Sequence, residues 1–330
     1  MLPTLLRRHP RYTIGLLVGF LILILLGATD HSTLGYPVRF RGLNELGHPS
    51  LRAKLEETER GYQAVIARRP ELIKKYGGGI VKGIEPFPRH GQMYTLWDFF
   101  LPAFTCPHKV ERIGTLGDGG KYVCGLERMA KKKHCVIYSF GVNGESSFEA
   151  TILERVHGCQ LYGYDFSVNS FGPEINNVPG LKSRSHFWPW GLSGKDAHGP
   201  NNNPKLYTLE TLMKMNGHNF IDILKIDIEG AEFDALTSLI NHYLSMTPPQ
   251  PLPIGQLQLE VHAAGDVWGN DMSKLLKWWE KLEEAGLRPF WTEPNLVYLN
   301  LYRGNAPVYS EYSFINIRGE HELLSDVADD

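Results

Sequence analysis

The chain has 330 residues, of which 34 are Lys or Arg and 36 are Asp or Glu, giving a formal net charge of −2. That balance supplies no broad basic face, so nucleic acid is excluded as an expected partner. After an apolar amino-terminal segment about 300 residues remain, enough for one large α/β domain and a stem.

Arg7, Arg8 and Arg11 precede an uncharged apolar run over 12–28, and Asp30 follows it. A bilayer crossing takes roughly 17 to 25 apolar residues, so the run reads as a transmembrane signal anchor. A cleaved signal peptide is the competing reading, and it would leave a secreted protein. With arginines on the amino side, the 1–11 tail stays cytosolic. The remainder is then lumenal, in the Golgi or endoplasmic reticulum, as a single-pass type II membrane protein. Residues 29–95 read as linker and helical stem. In this stretch Leu51, Leu55, Tyr62, Val65 and Ile66 mark a helix over 50–69 with Ser50 as its cap. Pro70 suits the first turn of a second, short helix that ends before Gly77.

The main domain is expected over 96–330. An aromatic segment at 97–104 suggests a helix laid on that domain, and the glycines of 112–124 suggest a hairpin. No helical pattern follows Gly120, which argues against a phosphate loop there. Strands are then expected at 136–140, 160–164, 185–190, 221–227 and 256–261. Helices are expected at 146–157, 208–215, 231–244 and 271–285. This alternation specifies a doubly wound parallel sheet. Nothing helical is read between two last strands, 288–293 and 311–316, which are expected to pair as an antiparallel carboxyl-terminal hairpin.

The four cysteines suit an oxidising compartment. Cys135 and Cys159 each stand just before one of two successive strands. Parallel neighbours would bring them to the same sheet edge, within the Cα separation of roughly 4.4 to 6.8 Å that a disulfide needs. Cys106 and Cys124 are left as the second pair.

Ligands of an open parallel sheet bind beyond the carboxyl ends of its strands. Gly141, Asn143 and Gly144 lie where the first strand turns into a helix, a place for positive φ and for free N–H groups. Asp165 ends the second strand about 20 residues on, the position from which a carboxylate accepts both ribose hydroxyls of an adenosine. Asp227 and Glu229 end the fourth strand. Glu260 and His262 end the fifth and, two residues apart, share one face. An unperturbed imidazole, with pKa near 6.5, would make His262 a candidate general base. No close His/Cys spacing resembles a zinc site, so no metal is expected.

These segments resemble the class I S-adenosylmethionine-dependent methyltransferases, and more narrowly the FkbM-type domain and related membrane-anchored methyltransferase-like proteins. The resemblance spans about 106–317 and is most specific at Lys225-Ile226-Asp227-Ile228-Glu229-Gly230-Ala231-Glu232. It implies a Rossmann-like fold, S-adenosylmethionine as cofactor, and methyl transfer to oxygen of a sugar, glycan or other small acceptor. Gly141, Asn143, Gly144, Glu145, Asp165 and Asp227 would hold the cofactor, with Leu192 and Ser193 at the adenine. Asp227, Glu229 and His262 would serve catalysis. Ser139 stands where the family's first motif has an acid, and Glu145 or Glu149 is the nearest replacement. A Golgi glycosyltransferase, reading Asp227-Ile228-Glu229 as a metal motif, and a catalytically silent binding module on the same fold are the alternatives.

Overall fold

The computed structural model describes residues 50–76, 93–264, 267, 272–301 and 306–325. The expected tail and anchor at 1–28 and most of the linker lie outside them. Among the described residues no helix is long and apolar enough to cross a membrane.

In chain order the elements are α1 (Leu51–Tyr76), a 3-10 helix (Met93–Phe99), β1 (Val110–Ile113), β2 (Lys121–Cys124), α2 (Leu126–Met129), β3 (Cys135–Phe140), α3 (Ser147–Arg155) and β4 (Cys159–Tyr164). Then come α4 (Pro173–Asn176), α5 (Pro179–Lys182), β5 (Ser185–Trp188), β6 (Gly191–Leu192), β7 (Leu206–Tyr207), α6 (Leu209–Asn216), β8 (Ile221–Ile226) and α7 (Glu232–Leu244). The chain continues through β9 (Ile254–His262), α8 (Met272–Glu284), β10 (Leu287–Pro294), α9 (Leu296–Leu301) and β11 (Tyr309–Asn316).

Seven strands form the main sheet in the order β10-β11-β9-β8-β3-β4-β5. The five from β9 to β5 are parallel, while β11 runs antiparallel to both β9 and β10. The doubly wound expectation holds, with an antiparallel edge. Central strands covered on both faces are largely apolar, and every residue of β8 and β9 is buried, including the polar Asp222, Lys225, Gln256, Gln258, Glu260 and His262. Sequence and structure differ between β10 and β11, where the short helix α9 stands and no helix was expected. Its six residues are too few for helical periodicity to show.

The expected hairpin forms as β1 and β2, paired antiparallel from Val110 opposite Cys124 to Ile113 opposite Lys121. Both expected disulfides are present. Cys135 and Cys159 are register partners across β3 and β4, with Cα atoms 4.2 Å apart, and Cys106 is bonded to Cys124 with Cα atoms 6.1 Å apart.

Pro70 does not begin a new helix, because α1 runs unbroken through it. An interior proline costs a helix about 3 kcal/mol, and tertiary anchoring on the preceding residue offsets this. The carboxylate of Glu283 on α8 accepts from Arg69 Nη1 and Nη2 at 2.9 and 2.6 Å, from Tyr62 Oη at 2.6 Å and from Trp279 Nε1 at 2.9 Å. Arg69 Nε also donates to the Phe99 carbonyl at 2.9 Å. All of these groups are buried.

Replacing Glu283 by Ala strands a buried guanidinium, so urea titration should show a loss of about 3 to 5 kcal/mol. A second effect follows from His321, which is held neutral because burial pushes its pKa down to about 4. The unfolded chain takes up this proton near pH 6.5 and the folded one does not, so stability should fall as pH drops from about 6.5 to about 4. Unfolding midpoints measured across that window should be flatter in His321→Gln.

Candidate active site at the carboxyl ends of the strands

The direction of winding reverses at β3, whose neighbours are β4 on one side and β8 on the other. A crevice outside the strand ends is expected at such a point. A cleft of about 140 Å³ opens there, lined by Asp118, Gly119, Gly141, Val142, Asn143, Glu145, Glu149, Lys225 and Asp227.

The turn after β3 is shaped by positive φ at Gly141 (78°), Asn143 (45°) and Gly144 (74°). Only glycine fits at 141, because a Cβ there would run into the carbonyl oxygen of Asp227. Asp165, ending β4, fixes the same turn. Its Oδ2 accepts the N–H groups of Val142 and Asn143, each at 2.8 Å, and its Oδ1 accepts Ser167 N and Oγ at 2.7 Å. Burial raises the pKa of this carboxyl, but those donors outweigh it and hold the group below its usual range.

Ser139 is fully buried and donates to Glu149 Oε1 at 2.5 Å. A carboxylate from α3 thus stands beside Ser139 at the edge of the cleft. Lys225 Nζ donates to the Gly141 carbonyl at 2.6 Å and lies 3.8 Å from Glu149. The hairpin loop between β1 and β2 folds over the turn, with Thr115 N donating to Ser147 Oγ at 2.8 Å. Sequence reasoning missed Asp118 and Gly119 as lining residues, since their strands lie outside the main sheet.

Around Asp227 the structure gathers charge from four strands. Lys121 of β2, almost fully buried, bonds to Glu311 of β11 and lies 3.7 Å from Asp227 Oδ2. Burial pushes the Asp227 carboxyl up, but Lys121 and Lys225 outweigh it and hold the group ionised. Glu260 goes the other way, pushed up to about 9 by burial and by the neighbouring Asp227 and Glu311. Lys121 could not be read as a site residue, because the hairpin gives no sign of reaching the strand tips.

His262 differs most from its expected state. Burial lowers its pKa, but a hydrogen bond with Glu232 and the charges of Glu232, Glu260 and Asp227 push it up to about 9. It is an imidazolium at neutral pH, not the free base that a pKa near 6.5 would give. Glu232 is fully buried, accepts Gly230 N at 2.8 Å and His262 N at 2.9 Å, and sits 3.0 Å from Nδ1. Glu229, also at positive φ (55°), is exposed. Asp227, Glu229 and His262 form a cluster whose ligand atoms lie within 4.8 Å of one another. Its members come from two strands, so no linear spacing announces it.

Leu192 and Ser193 lie outside the cleft lining. Leu192 is buried in the core, and Ser193 N donates to the Tyr207 carbonyl at 2.8 Å. Phe166, directly after Asp165 and 58% exposed, lies against Gly191 instead. Trp188 and Trp190 join Tyr164 and Tyr207 in a run of stacked and tilted rings.

A family profile described as "Methyltransferase domain" matches residues 88–305. The chain belongs to this methyltransferase family. The methyltransferase is 29% identical over 177 residues to "Probable methyltransferase-like protein 24" of Homo sapiens, a match covering 50% of this chain and 43% of that protein. The Rattus norvegicus protein of the same name matches at 29% over 176 residues, covering 50% and 44%. The chain thus spans under half the length of the curated relatives it matches. Among solved structures, "METTL16 MTase domain" aligns with TM-score 0.33 at 11% identity, covering 84% of this chain and 86% of that one. A putative rRNA-methylase from Clostridium thermocellum aligns with TM-score 0.34 at 10% identity, covering 59% and 94%.

Gly141→Ala should cost the methyltransferase on the order of 2 kcal/mol or more in thermal unfolding, from its positive φ and the clash with Asp227. The same change should close the cleft to ligands.

Proposed function

We propose that this methyltransferase takes its methyl group from S-adenosylmethionine and delivers it to oxygen of a sugar, glycan or other small acceptor. The observation that carries this reading is the cleft at the β3/β8 reversal, walled by the Gly141 turn, Glu149 and Asp227. When bound, the donor supplies a methyl group already activated on a sulfonium. A lining rich in carboxylates complements that positive charge, and the Glu149 carboxylate suits the ammonium of the donor's amino-acid end. At about 140 Å³ the cleft is small beside the roughly 300 to 1,000 Å³ of usual ligand pockets. It suits that end alone, while the adenosine would lie along the open tips of β4 and β5, with Phe166 offering a ring face.

Asp165 has a double role in this reading. A carboxylate offers about four lone-pair sites, and all are used within the chain, so one ribose hydroxyl would replace the Ser167 hydroxyl while the two turn N–H bonds stay. Asp227 lies at the base of the cleft, where it would orient the acceptor. Methyl transfer from an activated donor needs alignment above all, worth about 7 to 11 kcal/mol in well-oriented systems. Because His262 is protonated as it stands, its part is to hold the carboxylates around it, and ionised Asp227 is the better proton acceptor.

The glycosyltransferase alternative gives way to the family assignment. The Glu149 carboxylate beside Ser139 weakens the argument for a silent module. The two disulfides support an oxidising, lumenal or extracellular address, and membrane anchoring through 12–28 belongs to the same proposal.

Calorimetry with S-adenosylmethionine should give a single binding event. Asp165→Ala and Glu149→Gln should each weaken it at least tenfold, a loss of about 1.4 kcal/mol or more. Absence of heat in the intact protein would reject the donor assignment.

A further inference from the structure

His262 is arranged as a histidine that binds a cation. Its side chain is 4% exposed, and Nδ1 is directed at the fully buried Glu232 carboxylate, 3.0 Å away. A metal-ligating imidazole typically donates its second N–H to a carboxylate in this way, which fixes ring orientation, and binding of the ion displaces the proton from the other nitrogen. Here the other nitrogen, Nε2, makes no hydrogen bond among the described residues. It faces Glu229 Oε2 at 3.5 Å, Glu260 Oε2 at 3.5 Å and Asp227 Oδ1 at 3.8 Å.

The two separations of 3.5 Å match the edges of a coordination shell, and Asp227 at 3.8 Å stands just outside them. Ligand atoms about 2.0 to 2.2 Å from a shared tetrahedral ion stand about 3.3 to 3.6 Å apart. Lys121 does not fill this place, because it approaches the opposite oxygen of Asp227, Oδ2. Glu260 is held from behind, its Oε1 accepting Asn295 Nδ2 at 2.8 Å. Glu229 is 84% exposed and leaves a path from solvent.

We propose that Asp227, Glu229 and His262 bind one divalent first-row transition cation, with Glu260 at its edge and Glu232 orienting the imidazole. A mixed nitrogen and carboxylate donor set suits Zn²⁺ or Mn²⁺ better than Ca²⁺. An ion there would sit beside the cleft through Asp227, where it can hold an acceptor oxygen and favour its deprotonation. Cation binding goes beyond the donor assignment and is measured without the donor.

The test is titration of the chelator-stripped, full-length protein with Zn²⁺ and separately with Mn²⁺, followed by metal analysis after desalting. All four cysteines are in disulfides, so thiolates cannot account for retained zinc. One ion per chain is expected. Glu229→Gln should weaken binding at least tenfold with an unchanged circular dichroism spectrum, and His262→Gln should remove it. Glu320→Gln, an exposed acid at the other end of the sheet, should bind as the parent does. No retained ion, or retention indifferent to Glu229→Gln in a folded protein, would overturn the proposal and leave His262 as a cation clasped by carboxylates.

Discussion

At the reversal of the sheet the backbone of Gly141 lies against the carbonyl of Asp227 with no room for a side chain between them. This contact brings the ends of β3 and β8 together and fixes where the cleft can be. The chain leaves β3 through a left-handed turn, so the N–H groups of Val142 and Asn143 face Asp165. Lys225 ties the same corner from below by donating to the Gly141 carbonyl. Strand order, turn conformation and cleft position therefore rest on one close approach.

Charge is the second organising force. Carboxylates from β8, β9, β11 and α7 converge on a small buried volume that also holds Lys121 and His262. Buried ions are tolerated only when paired, and the pairing here is dense but uneven. Asp227 is kept ionised by two lysines, while Glu260 is pushed up to about 9. The strand ends thus hold an ionised Asp227 among groups of both signs in a low-dielectric setting.

Much of this was legible from residue order. Apolar runs marked the strands, because parallel strands buried on both faces are largely apolar. Chemical residues stood at strand ends, because that is where an open sheet binds ligands. The cysteine pair at 135 and 159 followed from register between neighbouring strands. Less legible were the breaks in local rules. Pro70 passes through α1 because Arg69 is held by Glu283, a partner 214 residues away. His262 departs from its ordinary pKa because Glu232, 30 residues earlier, turns back to meet it.

The sequence by itself determined the kinds of element, their order and the carboxyl-end location of the polar residues, since these depend on periodicity and turn chemistry within short windows. Only the tertiary structure decided which polar residues meet. Lys121 from a separate hairpin and Glu311 from the last strand enter the site through contacts that no local pattern encodes. Protonation was decided at the same level, because a pKa answers to burial and to charges a few ångströms away, whatever their distance along the chain.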